Sequence, residues 1–369
     1  MSETLALLLR DAGLTGRGGA GFPTAVKLQA ALEHHARLIV NACDGEIGAA
    51  KDGWVVEHHL DELVHGARLL SPRRTSTIRY AAHRGSPTAH RLRGAGLSVL
   101  EVPARYVSSE ESSLISLAQG GLARPMTKRT PFVQGGRDSS GRRISPTVVL
   151  NAETVWRVAQ LADRGAGWLR SFGTADEPGP RLVSVNGSAA RGAVLDTEAG
   201  VPLTDLLAVV GGVPDDVEAI LVGGLGGSFV PAGAVPSLTW STADLSRFGA
   251  GTGPGVVEVV APSECPVAFV DRFLTYAAGE SAGQCGPCMF GVPALAADWR
   301  AFAERPSAAL LQSISARAGL LPGRGACRFP DGVGRFAASA LTVYREHLEG
   351  HVVGYCLEPR GRMADVLPS

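Results

Sequence analysis

Two sets of residues in this chain have types and spacing suited to chemistry. The first is Gly13-Leu-Thr-Gly-Arg-Gly-Gly-Ala-Gly-Phe-Pro-Thr24, where Gly16, Gly18, Gly19 and Gly21 crowd together around Arg17, with Lys27 just beyond. Glycine lets a backbone turn tightly and present its N–H groups to a ligand with no Cβ in the way. Pro23 suits the first turn of a helix, and residues 24–36 read helical, so the loop feeds a helix N-terminus, where N–H groups and dipole favour phosphate. The spacing also fits G-x-G-x-x-G, which has meaning only after a strand, whereas Ser2–Arg10 reads as a helix closed by Gly13. An ordinary surface turn is the competing reading.

The second set is Cys285-Gly-Pro-Cys288 with Cys327 in a later loop. Alone, the pair suits a redox dithiol, half of a zinc site or half of an iron–sulfur site. A thioredoxin-type dithiol needs a βαβ context, and this pair lies between predicted helices. Iron–sulfur clusters take cysteine thiolates, normally four; three are evident. Cys43 stands alone, and Cys265 and Cys356 are scattered, Cys356 being a candidate for the fourth position.

These residues must be positioned by a chain of 369 residues, long enough for two or three domains. A formal net charge of zero gives no sign of a nucleic-acid or anionic-membrane partner. With no basic leader and no apolar run near about 18 residues, a cytoplasmic protein without direct membrane insertion is expected. Six cysteines are too few for a disulfide scaffold. Basic residues are almost all arginine; Lys27, Lys51 and Lys128 each lie beside a candidate motif.

The pattern predicts an α/β fold in three parts. Residues 1–176 alternate helices and strands: helix 24–36, strand 37–42, helix 54–70, strand 75–82, helix 86–95, strand 97–102, then a helix 110–119. Ser108 and Glu111 have capping-box spacing, so Glu110 and Glu111 read either as dipole-stabilising acids or as ligands for ribose hydroxyls. A polar loop covers 120–145, and strand 146–151 leads into a helix ending near Phe172. Past a linker at 176–180, residues 177–245 read as a small β-grasp unit with strands at 181–187, 193–196 and 219–223 and a helix at 202–211. Residues 246–369 read as a helix bundle, with helices at 265–278, 293–304, 307–318 and 334–353.

In this order the motifs resemble the flavin-binding (51-kDa or F-type) subunit of respiratory complex I and its relatives in NAD-linked hydrogenases and formate dehydrogenases. Gly13–Thr24 is similar to the family's GLRGRGGAGFPT, residues 41–48 with Lys51-Asp52 to NADEGEPG…KD, and Ser109-Glu110-Glu111 to GEE. Pro131-Phe132 corresponds to a PPFP loop, residues 148–154 to VNNVET, residues 181–240 to the SLBB domain and residues 280–288 to ESCGKCTPC. The resemblance implies FMN, its phosphate lined by Gly16, Arg17, Gly18, Gly19, Gly21 and Lys27. Asn41, Asp44 and Asn151 would hold the isoalloxazine and ribityl groups, Phe22 and Phe132 would flank the adenine of NADH, and Glu46, Glu110 and Glu111 would lie near the dinucleotide. Cys285, Cys288 and Cys327 would bind an iron–sulfur cluster.

This chain departs from the family at Ala282, which replaces the first cluster cysteine, and at Cys43, Leu150 and Ser109, which replace an aspartate, an asparagine and a glycine. The segment between Leu70 and Ser108 is also shorter. The implied function is an FMN-dependent NADH dehydrogenase module that passes single electrons to a small iron–sulfur partner, such as a ferredoxin or a thioredoxin-like 2Fe-2S subunit. The other reading is a non-catalytic nucleotide-binding or scaffolding subunit whose cluster has been lost.

Overall fold

A computed structural model describes residues 2–71, 77–187, 192–260 and 264–356. Short runs of β-branched and aliphatic residues build the first layer: β1 (Arg37–Asn41), β2 (Ile78–His83), β3 (Val99–Val102) and β6 (Thr147–Asn151) form a parallel sheet in the order β3-β2-β1-β6. Side chains alternate across it, as strand geometry requires. Leu38, Val40, Tyr80, Val148 and Leu150 face the core shared with α1 (Ser2–Ala12), α2 (Thr24–Glu33), α3 (Lys51–His58), α4 (Leu60–Leu70), α5 (Pro87–Gly94) and α7 (Ala152–Arg170). Ile39, Ala81 and Val149 face the other way, toward Leu114 and Ile115 of α6 (Glu111–Ala118) and toward Phe132. The polar loop 120–145 carries a short hairpin, β4 (Gly136–Arg137) and β5 (Arg143–Ile144).

The second unit has β7 (Arg181–Asn186), β8 (Ala193–Thr197), α8 (Leu203–Ala208), β9 (Ala219–Val222), β10 (Ser228–Pro231), α9 (Thr242–Leu245) and β11 (Val256–Val259). Its sheet order, β10-β9-β11-β7-β8, with β11 parallel to β7 and the other pairs antiparallel, is a β-grasp arrangement. Strand β11, beyond residue 245, is its centre. The third unit is helical: α10 (Pro266–Glu280), α11 (Val292–Glu304), α12 (Ala308–Leu320), α13 (Phe329–Val343) and α14 (Arg345–Val352). Phe229 of β10 stacks edge-on with Phe269 and Tyr344, so the sheet and the bundle share one core.

The structure corrects several element boundaries. The helix predicted over 54–70 is two, broken at His59 (φ −131°, ψ 33°), whose ring stacks on Trp156 at 4.3 Å. The helix predicted over 334–353 begins at Phe329 and breaks at Tyr344, an aromatic buried in the shared core. Strands β10 and β11 were not anticipated, because each follows a glycine and runs for only four residues. Residues 75–76 of a predicted strand and 357–369 of the predicted helical unit lie outside the described residues.

Candidate functional site

A cavity of about 1190 Å³ lies where the three units meet. Its walls come from the glycine loop, the loop Asp44–Asp52, Asn151, the Gly223–Gly227 turn, the Thr239–Pro254 stretch and the segment Cys327–Arg335. Of the residues proposed from sequence, Gly16, Gly18, Gly19, Gly21, Asp44, Glu46, Glu110 and Asn151 line it, and Cys327 reaches it from the helical unit.

The glycine loop is pinned at its base and open at its tip. Gly16 N–H donates to the Phe22 carbonyl at 2.9 Å and Arg17 N–H to Thr154 Oγ1 at 2.8 Å. Among the described residues, the N–H groups of Gly18, Gly19, Ala20 and Gly21 donate to no other protein group. A Cβ on Gly18 would sit 3.3 Å from Asn151 Cβ, whereas Gly21, at φ +60°, has no neighbour within 4 Å. Four free donors around an open concavity, ahead of helix α2, fit a phosphate.

Arg17 is buried and does not line the cavity: its guanidinium donates to the Pro178 carbonyl at 2.8 Å. Burial, reinforced by nearby Arg181, lowers its pKa to about 9. Lys27 also lies outside the cavity wall, donating to the Val149 carbonyl at 3.1 Å and lying 4.0 Å from Glu111.

Beneath the loop lies a buried ionic cluster centred on Lys51. Its Nζ reaches Glu153 at 2.7 Å, Asn151 Oδ1 at 3.0 Å and Asp52 at 3.4 Å. Asn151 also donates to Asp52 at 2.6 Å and caps α7. Burial opposes the charge on Lys51, yet Asp52 and Glu153 outweigh it and raise the pKa, so the lysine is a fixed cation. Burial pushes Asp52 up to about 7 against the pull of Lys51, and raises Asp44 as well. Asp44, in the left-handed region at φ 47°, accepts from Asp52 N–H at 2.8 Å and Gly53 N–H at 2.7 Å, fixing the start of α3.

On the opposite wall Glu46 accepts from the Leu225 N–H at 2.8 Å and from its neighbour Ile47 at 2.9 Å. Burial raises it to about 7 despite these donors. Gly224, at φ +63°, allows this: a Cβ there would meet Glu46 Oε1 at 2.4 Å, which forces a shift.

Glu110, rather than the predicted Ser108–Glu111 box, caps α6, accepting from the N–H groups of Ser112 and Ser113, while Ser108 belongs to the preceding 3₁₀ turn. Glu111 pairs with Lys128 at 3.0 Å. Asn41 holds the turn after β1, donating to the Ser109 carbonyl and accepting from Cys43 N–H. Phe22 is exposed, Phe132 is buried under Lys128, and neither lines the cavity. Sequence reasoning did not select Tyr106, Gly224 or Arg181; Lys51 carried a signal in its Lys-Asp pair.

Cys285 is hydrogen-bonded to Cys288, and Cys327 lies near enough for the charges of the three to bear on one another. Burial, then the neighbouring Cys285, pushes Cys288 up to about 12, and burial raises Cys327 to about 11. They offer three thiolates, one short of the usual set. Cys356 does not complete the set; it lies beside Cys265, at 3.8 Å. Cys43 is buried beneath the first sheet, with its thiol pKa raised by burial.

A glycine loop on one wall of a wide cavity, with Cys327 on another, suits a redox protein that pairs a nucleotide site with a metal-cluster site. Residues 9–160 match the Nuo51 FMN-binding domain, and residues 268–351 the NADH-ubiquinone oxidoreductase-F iron-sulfur binding region. An F-type chain of the NADH-quinone oxidoreductase of Rhizobium meliloti is 26% identical across 95% of this chain and 89% of its own length. Its counterpart in the NADH-quinone oxidoreductase of Streptomyces coelicolor is 28% identical across 95% of this chain and 84% of its own. An NAD+-reducing [NiFe]-hydrogenase in the H2-reduced state superposes with a TM-score of 0.81 at 28% identity, covering 95% of this chain and 63% of the hydrogenase chain. The chain belongs to the flavin-binding F-type family of NADH oxidoreductases.

Proposed function

We propose that this chain is an FMN-dependent NADH dehydrogenase module that hands electrons to an iron–sulfur partner. The observation that carries it is one cavity bounded by Gly18–Gly21, whose N–H groups find no partner among the described residues, and, on another wall, by Cys327. FMN, when bound, supplies hydride acceptance from NADH and release of single electrons. The chain's own residues supply position and charge. Gly18–Gly21 would hold the phosphate through N–H groups, and Lys51, locked by Glu153 and Asn151, would present a fixed positive charge beneath the flavin. Glu46 and Glu110 would border the dinucleotide, where a carboxylate near the adenosine ribose disfavours a 2′-phosphate and selects NADH over NADPH. Cys285, Cys288 and Cys327 would hold an iron–sulfur centre through three thiolates. Relatives named as parts of larger oxidoreductases support an iron–sulfur partner, a ferredoxin or thioredoxin-like 2Fe-2S protein being the proposed form. Among the described residues no helix is long and apolar enough to cross a membrane, and a cytoplasmic setting is proposed.

The non-catalytic reading draws on Arg17 and Lys27 being turned away from the cavity and on Ala282. The absorption spectrum of anaerobically purified protein, before and after NADH, separates the two. Flavin absorption that bleaches with NADH supports the dehydrogenase. Protein that stays colourless after incubation with FMN, iron and sulfide overturns it.

A further inference from the structure

Away from the cavity, at the far end of the helical unit, four metal-binding side chains converge: Cys265, His347, His351 and Cys356, with all ligand atoms within 4.8 Å of one another. Cys265 is the N-cap of α10, His347 and His351 are one turn apart on α14, and Cys356 follows that helix. Cys265 Sγ lies 3.5 Å from His347 Nε2 and 3.4 Å from His351 Nε2. Cys356 Sγ lies 3.8 Å from Cys265 Sγ and 4.0 Å from His347 Nε2.

We propose that these residues form a structural Cys₂His₂ zinc site that fastens α14 and the segment after it to the start of α10. Tetrahedral zinc, with Zn–S of about 2.3 Å and Zn–N of about 2.05 Å, places sulfur and nitrogen about 3.6 Å apart and two sulfurs about 3.8 Å apart. The observed distances are close to the edges of that tetrahedron. They do not describe a disulfide, whose sulfurs lie about 2.05 Å apart. Nor do they describe a two-iron cluster of the same ligand types, because there the cysteine and histidine pairs bind different irons.

The surroundings agree. His347 Nδ1–H donates to Glu218 Oε1 at 2.8 Å, which turns Nε2, with its lone pair, toward the thiols. A carboxylate behind a ligating histidine is the usual outer support of a zinc site. Two thiolates and two neutral imidazoles balance the 2+ charge, so the half-buried centre carries no net charge. All four positions are filled by protein, which suits a structural rather than a catalytic ion. Binding releases the two thiol protons and changes no oxidation state. The site is independent of Cys285, Cys288 and Cys327.

The test uses the full chain, purified anaerobically without a polyhistidine tag from zinc-supplemented culture, with metals measured by mass spectrometry. One zinc per chain is expected. It should persist when Cys285, Cys288 and Cys327 are all replaced by serine, and fall below about a tenth in Cys265→Ser or His351→Ala. Should those variants fail to fold, cobalt(II) added to the metal-stripped wild type decides. Intense ligand-field bands in the visible, with a thiolate-to-cobalt charge-transfer band, mark tetrahedral sulfur ligation. Wild type that binds neither zinc nor cobalt, zinc that is lost with the Cys285 group, iron bound at these four residues, or a Cys265–Cys356 disulfide in the anaerobic protein would each overturn the proposal.

Discussion

The Tyr106 hydroxyl donates to Glu46 at 2.5 Å, and the Tyr106 backbone N–H donates to Glu280 at 2.7 Å. One residue therefore ties the cavity wall to the stretch that leads into Cys285 and Cys288. Arg105 reinforces the link with an ion pair to Glu280 at 2.9 Å. The candidate nucleotide cavity and the grouped thiols are held in register by side chains from two units.

Glu46 makes folding stability depend on pH. Its pKa of about 7 lies above the unfolded value of about 4.3, so the folded state keeps the proton longer. That contribution is fully present below about pH 4 and is lost as pH rises through about 7, at up to about 1.4 kcal/mol per pH unit. Glu46→Gln, which stays neutral, should gain stability relative to wild type between about pH 5 and pH 8. Urea unfolding across that range at fixed ionic strength checks it; a difference that does not change with pH would remove Glu46 as the cause.

Lys51→Met should be strongly destabilising. It leaves Asp52 and Glu153, both buried, without their shared cation, a loss of about 3 kcal/mol or more. Chemical denaturation should show the midpoint falling at unchanged slope. A change below about 1 kcal/mol would mean that the acids are already neutral or repaired by water.

Gly21→Ala should separate folding from cofactor binding. The new Cβ meets no protein atom but adopts positive φ, which costs about 1 kcal/mol. Because the loop faces the cavity, flavin retained per chain should fall several-fold while the melting temperature drops by only a few degrees. Unchanged flavin affinity would place the phosphate elsewhere.

Ala282→Cys should restore a fourth thiolate beside Cys285 and Cys288. After anaerobic reconstitution, iron per chain should rise toward ~4, with a matching change in the electron paramagnetic resonance of the reduced protein. Equal iron in both proteins would show that the native chain completes its cluster with another group or binds none.

Much of this molecule was legible in its residues. Apolar runs such as Leu38–Val40 and Val148–Leu150 announced buried strands of an α/β layer, because strand burial is written in local pattern; their parallel pairing came from the tertiary structure. The glycine loop was legible for the same reason: tight turning and close approach demand glycine at particular positions. Helix breaks at His59 and Tyr344 were not, since they answer to stacking on Trp156 and Phe229 rather than to local propensity. The cap on α6 was misplaced by one choice among adjacent acids and serines, which local chemistry makes nearly equivalent.

The sequence by itself determined the order of the layered, β-grasp and helical parts, the glycine loop, the Cys285–Cys288 pair and the alanine at position 282. Only the tertiary structure decided where long side chains point: Arg17 turns inward to Pro178, while Lys51 becomes the buried cation beneath the cavity. Only the tertiary structure brought Cys265, which looked scattered, to His347, His351 and Cys356 across separations of 82 to 91 residues. Spacing along a chain encodes contacts within a turn, a strand or a loop. Contacts between distant segments depend on how whole helices pack, and no local pattern records them.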